Sequence, residues 1–176
     1  MDPTPQSATM KRAAAGAGNF WTRLAAGFVA GFLAVLIFSG SAIAVLHAAA
    51  LFPMPGWSLM PVPPFGVPQS LVSGFWGGLW GVAYALLEPR LTKHLGWWPG
   101  GLVFGAVLPF AVFLLVVPAL KGMTIGPGLV PSMFLLSLFL HAVFGLGTAI
   151  LFRLGQHLVG RKARHSPDLQ SGRPQP

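Results

Sequence analysis

Between Leu24 and Leu120 the chain carries formal charge in one place only, the stretch Glu88-Pro89-Arg90-Leu91-Thr92-Lys93-His94. On each side of it, two apolar runs flank an outer loop. A chain that folds in water must solvate its outside, and soluble domains draw about a quarter of their residues from the charged set. Here only 8% are charged, 54% are hydrophobic and the mean hydropathy is +0.70, so no water-facing surface can be assembled. Hydrocarbon demands that backbone polar groups be satisfied within the element, which helices do. The chain is therefore read as all-α: a four-transmembrane-helix bundle with short tails.

Residues 1–19 are polar, small and Gly/Pro-containing, with a basic pair at Lys11-Arg12, and are expected to be a cytoplasmic segment without regular structure. The transmembrane domain is placed at 20–153. Phe20-Trp21-Thr22-Arg23 sets an aromatic and a cation at an interface. Span one, about 24–52, exceeds the roughly 20 residues that cross about 30 Å of hydrocarbon. Ala42-Ile43-Ala44 resembles a signal-peptide cleavage site, but the polar region ahead of it is long and the apolar run continues past it, so the run is read as a retained span.

The loop that follows holds Pro53, Pro55, Pro61, Pro63, Pro64 and Pro68, no charge, and the aromatics Trp57 and Phe65. Proline at that density forbids regular helix, and the loop is expected to lie against headgroups or a partner. Val67-Pro68 opens span two, about 69–87, which the charged stretch closes as a turn. Trp97-Trp98 marks the next interface. Span three, about 100–120, contains Pro109 and Pro118 and should kink. A Gly/Pro loop from Lys121 to Val130 leads to span four, about 131–152, closed by Arg153. The tail, 154–176, is basic at Arg161, Lys162 and Arg164 and then polar, expected without regular structure.

Basic residues accumulate on the cytoplasmic side of membrane helices. With the N-terminus inside, that side receives Lys11, Arg12, Arg23, Arg90, Lys93, Arg153, Arg161, Lys162, Arg164 and Arg173, while Lys121 alone lies outside. The asymmetry requires an even number of crossings: four spans, both termini inside. The hairpins resemble each other, with Gly27-Phe28-Val29-Ala30-Gly31 opening span one, Gly101-Leu102-Val103-Phe104-Gly105 opening span three, and a Val-Pro pair before spans two and four. A parallel repeat of two helical hairpins is the reading.

Each span has a small-residue face: Gly27, Gly31, Ala34 and Ser41; Ser70, Gly74, Gly78, Gly81, Ala85 and Glu88, with Trp76 and Trp80 opposite toward lipid; Gly101, Gly105 and Pro109; Ser137, His141, Gly145 and Thr148. Small faces let helix backbones approach where no hydrophobic force drives them together, so these glycines are assigned to helix packing, within the bundle or in a homo-oligomer. His141 is the one ionisable side chain near mid-bilayer, at the depth of Gly78 and Ser41. It either specifies packing as a neutral, hydrogen-bonded ring or marks a functional site. Glu88 is expected to pair with nearby Arg90 or Lys93, or to cap the turn. Ser41, His141 and Glu88 are the intramembrane polar candidates.

Most chemistry is excluded. The chain has no cysteine, hence no disulfide or thiolate site. A lone carboxylate supplies no acid/base pair. No metal site is expected, because zinc needs three or four ligands. The net charge of +8 sits at span ends and not along a helix face, against nucleic acid as a partner.

The segment Gly74-Phe75-Trp76-Gly77-Gly78-Leu79-Trp80-Gly81-Val82-Ala83-Tyr84, with Pro63-Pro64 before it and Trp98, Gly101 and Gly105 after it, resembles YagU-type inner-membrane proteins of bacteria. The outer loop lacks the polar insert expected of that family. The resemblance implies a bacterial inner-membrane location and carries over no functional residues. The expected role is non-enzymatic and without cofactor: an accessory or structural component bound to the lipid bilayer and to itself or another membrane protein. The alternatives are an oligomeric solute or ion transporter lined by Ser41, His141 and Glu88, and a haem-bearing electron-transfer anchor using His141 and His47.

Overall fold

The computed structural model describes the backbone of residues 5–120, 122 and 131–164, and the side chains of 20–120, 122 and 131–158. The expected loop at 121–130, Gly122 apart, and the tail beyond Arg164 lie outside the described residues, as do residues 1–4. Helix α1 (Pro5–Ala34), a π-helical turn (Val35–Ser39) and α2 (Gly40–Ala48) form one continuous helix. A loop with a two-stranded antiparallel ribbon, β1 (Pro61–Val62) on β2 (Val67–Pro68), leads into α3 (Gln69–Leu95). Then α4 (Trp97–Ala111), a second π-helical turn (Val112–Val116) and α5 (Val117–Leu120) make a third long helix, and α6 (Pro131–Arg164) a fourth.

Four helices are long and apolar enough to cross a membrane: Phe20–Ala48, Gln69–Leu95, Trp97–Leu120 and Pro131–Leu158, spans one to four below. Pro68 precedes α3 and Pro131 opens α6, positions where a missing N–H leaves no helical bond broken.

Three boundaries differ from those read in the sequence. Residues 5–19, expected without regular structure, are helical; Ala13, Ala14, Ala15 and Ala17 are strong helix formers, and Pro5 sits at the helix start. The tail is likewise helical as far as Arg164. The charged stretch 88–94 is not a turn. Helix α3 runs through Pro89 and ends at Gly96, whose φ of +86° makes a one-residue reversal into α4.

Span one packs on span two, three on four, one on four and two on three. The core lies toward the ends that carry Arg23, Arg90 and Arg153, the basic ends. Tyr84 stacks edge-on with Phe104 (5.2 Å) and Phe152 (5.7 Å), over Ala30, Ala34, Ala85 and Ala149. Trp80, expected to face lipid, meets Phe104 edge-on at 6.3 Å and packs against this core. Leu115, Leu135 and Phe139 remain outward and largely exposed, a surface that water would not tolerate on a monomer and that hydrocarbon solvates.

Candidate functional site

The helix pairs cross backbone to backbone. In the first, a methyl built on Gly81 would strike Gly27 O and Gly31 N, and one on Gly31 would strike Gly77 O. In the second, a methyl on Gly145 would strike Gly101 O and Gly105 N, and one on Gly105 would strike His141 O. Ala85 meets Gly27 as Ala149 meets Gly101. Gly74 and Gly78 do a different job: they receive the rings of Phe32 and Phe28. Gly77, not singled out in the sequence, belongs to the crossing. The signal available for it was its four-residue spacing from Gly81.

Beyond the crossings, on the side of the proline loop, a chamber of about 650 Å³ opens between the spans. Gly77 and His141, whose carbonyls take part in the crossings, border the chamber, and the other lining residues lie on its side: Val35 to Ile43 and Phe52 after Gly31, Ser73 to Trp80 before Gly81, Pro109 and Phe113 after Gly105, Met133 to Phe144 before Gly145. Helices held in backbone contact at one level must separate where larger side chains intervene, and the chamber fills that divergence. Among the described residues its walls are apolar apart from Ser39, Ser73, Ser137 and His141.

His141 lines this chamber, with its ring against Phe110 (5.6 Å) and Phe113 (5.2 Å). Its Nδ1 lies 2.7 Å from Ser137 O. A carbonyl oxygen only accepts, so Nδ1 carries the proton, and in the neutral ring Nε2 is then an acceptor. Among the described residues nothing hydrogen-bonds Nε2.

Ser41 is elsewhere. It is exposed, and Ser39 takes the chamber position. The cause is the π-helical turn Val35–Ser39, which holds one residue more than an α turn. Everything beyond it rotates by about 100° relative to a straight helix, enough to swing Ser41 off the Gly27–Gly31 face.

The π turn also frees a carbonyl. Gly40 N–H bonds Val35 O and Ile37 O, leaving Leu36 O without its usual donor, and Trp57 Nε1–H from the loop donates to it at 2.8 Å. In an apolar surround a carbonyl left without a donor costs about 1–3 kcal/mol. The loop is fastened again where Ser70 Oγ donates to Ser58 O (3.0 Å) and accepts from Ser58 N–H (2.8 Å).

At the basic ends Glu88 does not pair with Arg90 or Lys93. Arg23 NH2 donates to Glu88 Oε2 at 2.7 Å, and Thr92 Oγ1–H donates to Oε1 at 3.0 Å. Arg23 Nε–H donates to Ala85 O at 3.0 Å, the carbonyl left without a partner because Pro89, four residues on, has no N–H. The guanidinium also lies 5.2 Å from the Phe152 ring centre. One side chain thus ties spans one, two and four and makes the proline tolerable, which a local reading of the charged stretch could not reveal. Ser41, His141 and Glu88 are therefore not brought together. His47 is exposed, its Nδ1 3.0 Å from Phe52 O, and lines no part of the chamber. Among the described residues no cluster of three or more His, Cys, Asp or Glu could hold a metal ion.

No family model, curated protein or solved structure matches this chain.

Proposed function

We propose that the chain is a four-helix membrane bundle of two repeated hairpins with both termini on the cytoplasmic side of a bacterial inner membrane, the membrane that its resemblance to YagU-type proteins implies. It acts as a non-enzymatic accessory component that docks a second membrane protein or another copy of itself.

The observation that carries this reading is the loop at 53–68. Trp57, Ser58 and the β1–β2 ribbon hold it in shape, while Leu59, Met60 and Phe65 stand 82%, 70% and 86% exposed with no charge among them. An ordered, uncharged apolar knob suits a protein contact because it loses little entropy on binding. The glycine faces support an oligomer less, since the crossings within the chain already use them.

Purification from native membranes in mild detergent tests the role. A stoichiometric partner or oligomer should accompany the wild type and be lost from Leu59→Asp/Phe65→Asp, which leaves the spans untouched. A monomer without partner in both would overturn it. Labelling of both termini from the outer face of sealed, right-side-out vesicles would overturn the orientation.

A further inference from the structure

We infer that the chamber is an intramembrane binding site for a small, mostly apolar molecule bearing one hydroxyl, whose hydrogen bond His141 Nε2 accepts. The two helix pairs supply the reason. His141 stands where the first pair has Gly77, and in both pairs it is the main-chain carbonyl at this position that packs against the facing glycine. Glycine is sufficient for the crossing, so the imidazole is surplus to helix pairing. What lies over the position differs too. In the first pair Val35 lies over Gly77, since a methyl there would strike its Cγ2, and the two border the chamber with no polar side chain at that position. In the second pair the imidazole itself borders the chamber, beside Pro109 and Phe113.

The chemistry of the lining selects the ligand. A volume of about 650 Å³ falls within the roughly 300–1,000 Å³ of small-molecule pockets. Trp76, Trp80, Phe113 and Phe144 offer apolar and aromatic walls, and among the described residues no charged side chain lines the space to offset desolvation of an ion. With Nδ1–H committed to Ser137 O, the ring presents an acceptor, so it matches a donor: an alcohol or phenol. A quinone or ester, which only accept, gains nothing from it. The loop at 53–68 contributes no residue to the lining, so this site and the docking loop fail or succeed separately.

The test uses the purified chain in lipid nanodiscs and two probes with the same apolar body, 4-hexylphenol and its methyl ether 4-hexylanisole. The phenol should bind about tenfold more tightly, the worth of one hydrogen bond in an apolar site, and His141→Gly should reduce that preference to near unity. Equal binding of both probes to the wild type would reduce the chamber to an acyl-chain groove and overturn the assignment. So would no binding at all, or a preference that survives His141→Gly. If that variant does not fold, the ¹⁵N resonance of His141 Nε2 in the labelled wild type decides: it should move with the phenol and not with the ether, and an unmoved signal sinks the proposal.

Discussion

Spans one and two and spans three and four meet through one geometry: a glycine of the returning helix lodged between two glycines of the outgoing one. Around that shared crossing the pairs diverge. The first is braced at both ends, by Trp57 on the carbonyl freed at the π turn and by Arg23 on the carbonyl freed at Pro89 and on Glu88. At the corresponding places the second pair has Phe152 in the aromatic core and Arg153 over the Trp97 ring at 5.1 Å. It has His141 where the first has glycine. The lesson is a division of labour: backbone contact makes each pair, polar braces stiffen the first, and the second holds the polar group that faces open volume.

The comparison can be broken at several points. The largest effect belongs to the crossings: Gly81→Leu and Gly145→Leu should each cost on the order of 3 kcal/mol or more, because a backbone cannot yield as a side chain does. Reversible unfolding in mixed micelles measures this, and unequal losses would contradict the shared geometry. Next, Arg23→Met should cost about 2 kcal/mol. That is below the figure for a fully buried pair, since Arg23 and Glu88 remain 30% and 21% exposed. Adding Glu88→Gln should recover part of the loss, while Arg153→Met should cost less than about 1 kcal/mol. A comparable loss from both arginines would remove the contrast between braced and unbraced pairs.

A smaller change is expected for Trp57→Phe, about 1 kcal/mol, with faster amide exchange around the Val35–Ser39 turn by mass spectrometry. Unaltered exchange would mean that the loop does not secure that turn. The smallest effect is His141→Ala, at most about 1 kcal/mol, since its side chain borders the chamber and alanine favours helix. A loss as large as that of Gly145→Leu would make the imidazole a packing element after all.

Much of this was legible along the chain. Four apolar helices, their approximate limits and the glycine faces follow from hydropathy and four-residue spacing, because a helix in hydrocarbon must satisfy its own backbone and can approach another closely only through small residues. His141 stood out as a lone ionisable side chain in an apolar run. Ser39 did not, because a π turn is an extra residue absorbed by the backbone and leaves no sign in composition. The partner of Glu88 was hidden for a related reason: two cations lay within five residues, and the one that reaches it is Arg23, on another helix.

Sequence alone therefore decided where the chain is hydrocarbon-soluble, where it is basic and which faces are narrow, since these depend on side chains taken singly or at helical intervals. Only the tertiary structure decided which carbonyls lose their helical partners, which distant donors replace them and which volume His141 faces. Those outcomes depend on how far one helix is rotated against the next, and a single inserted residue alters that rotation by about 100°.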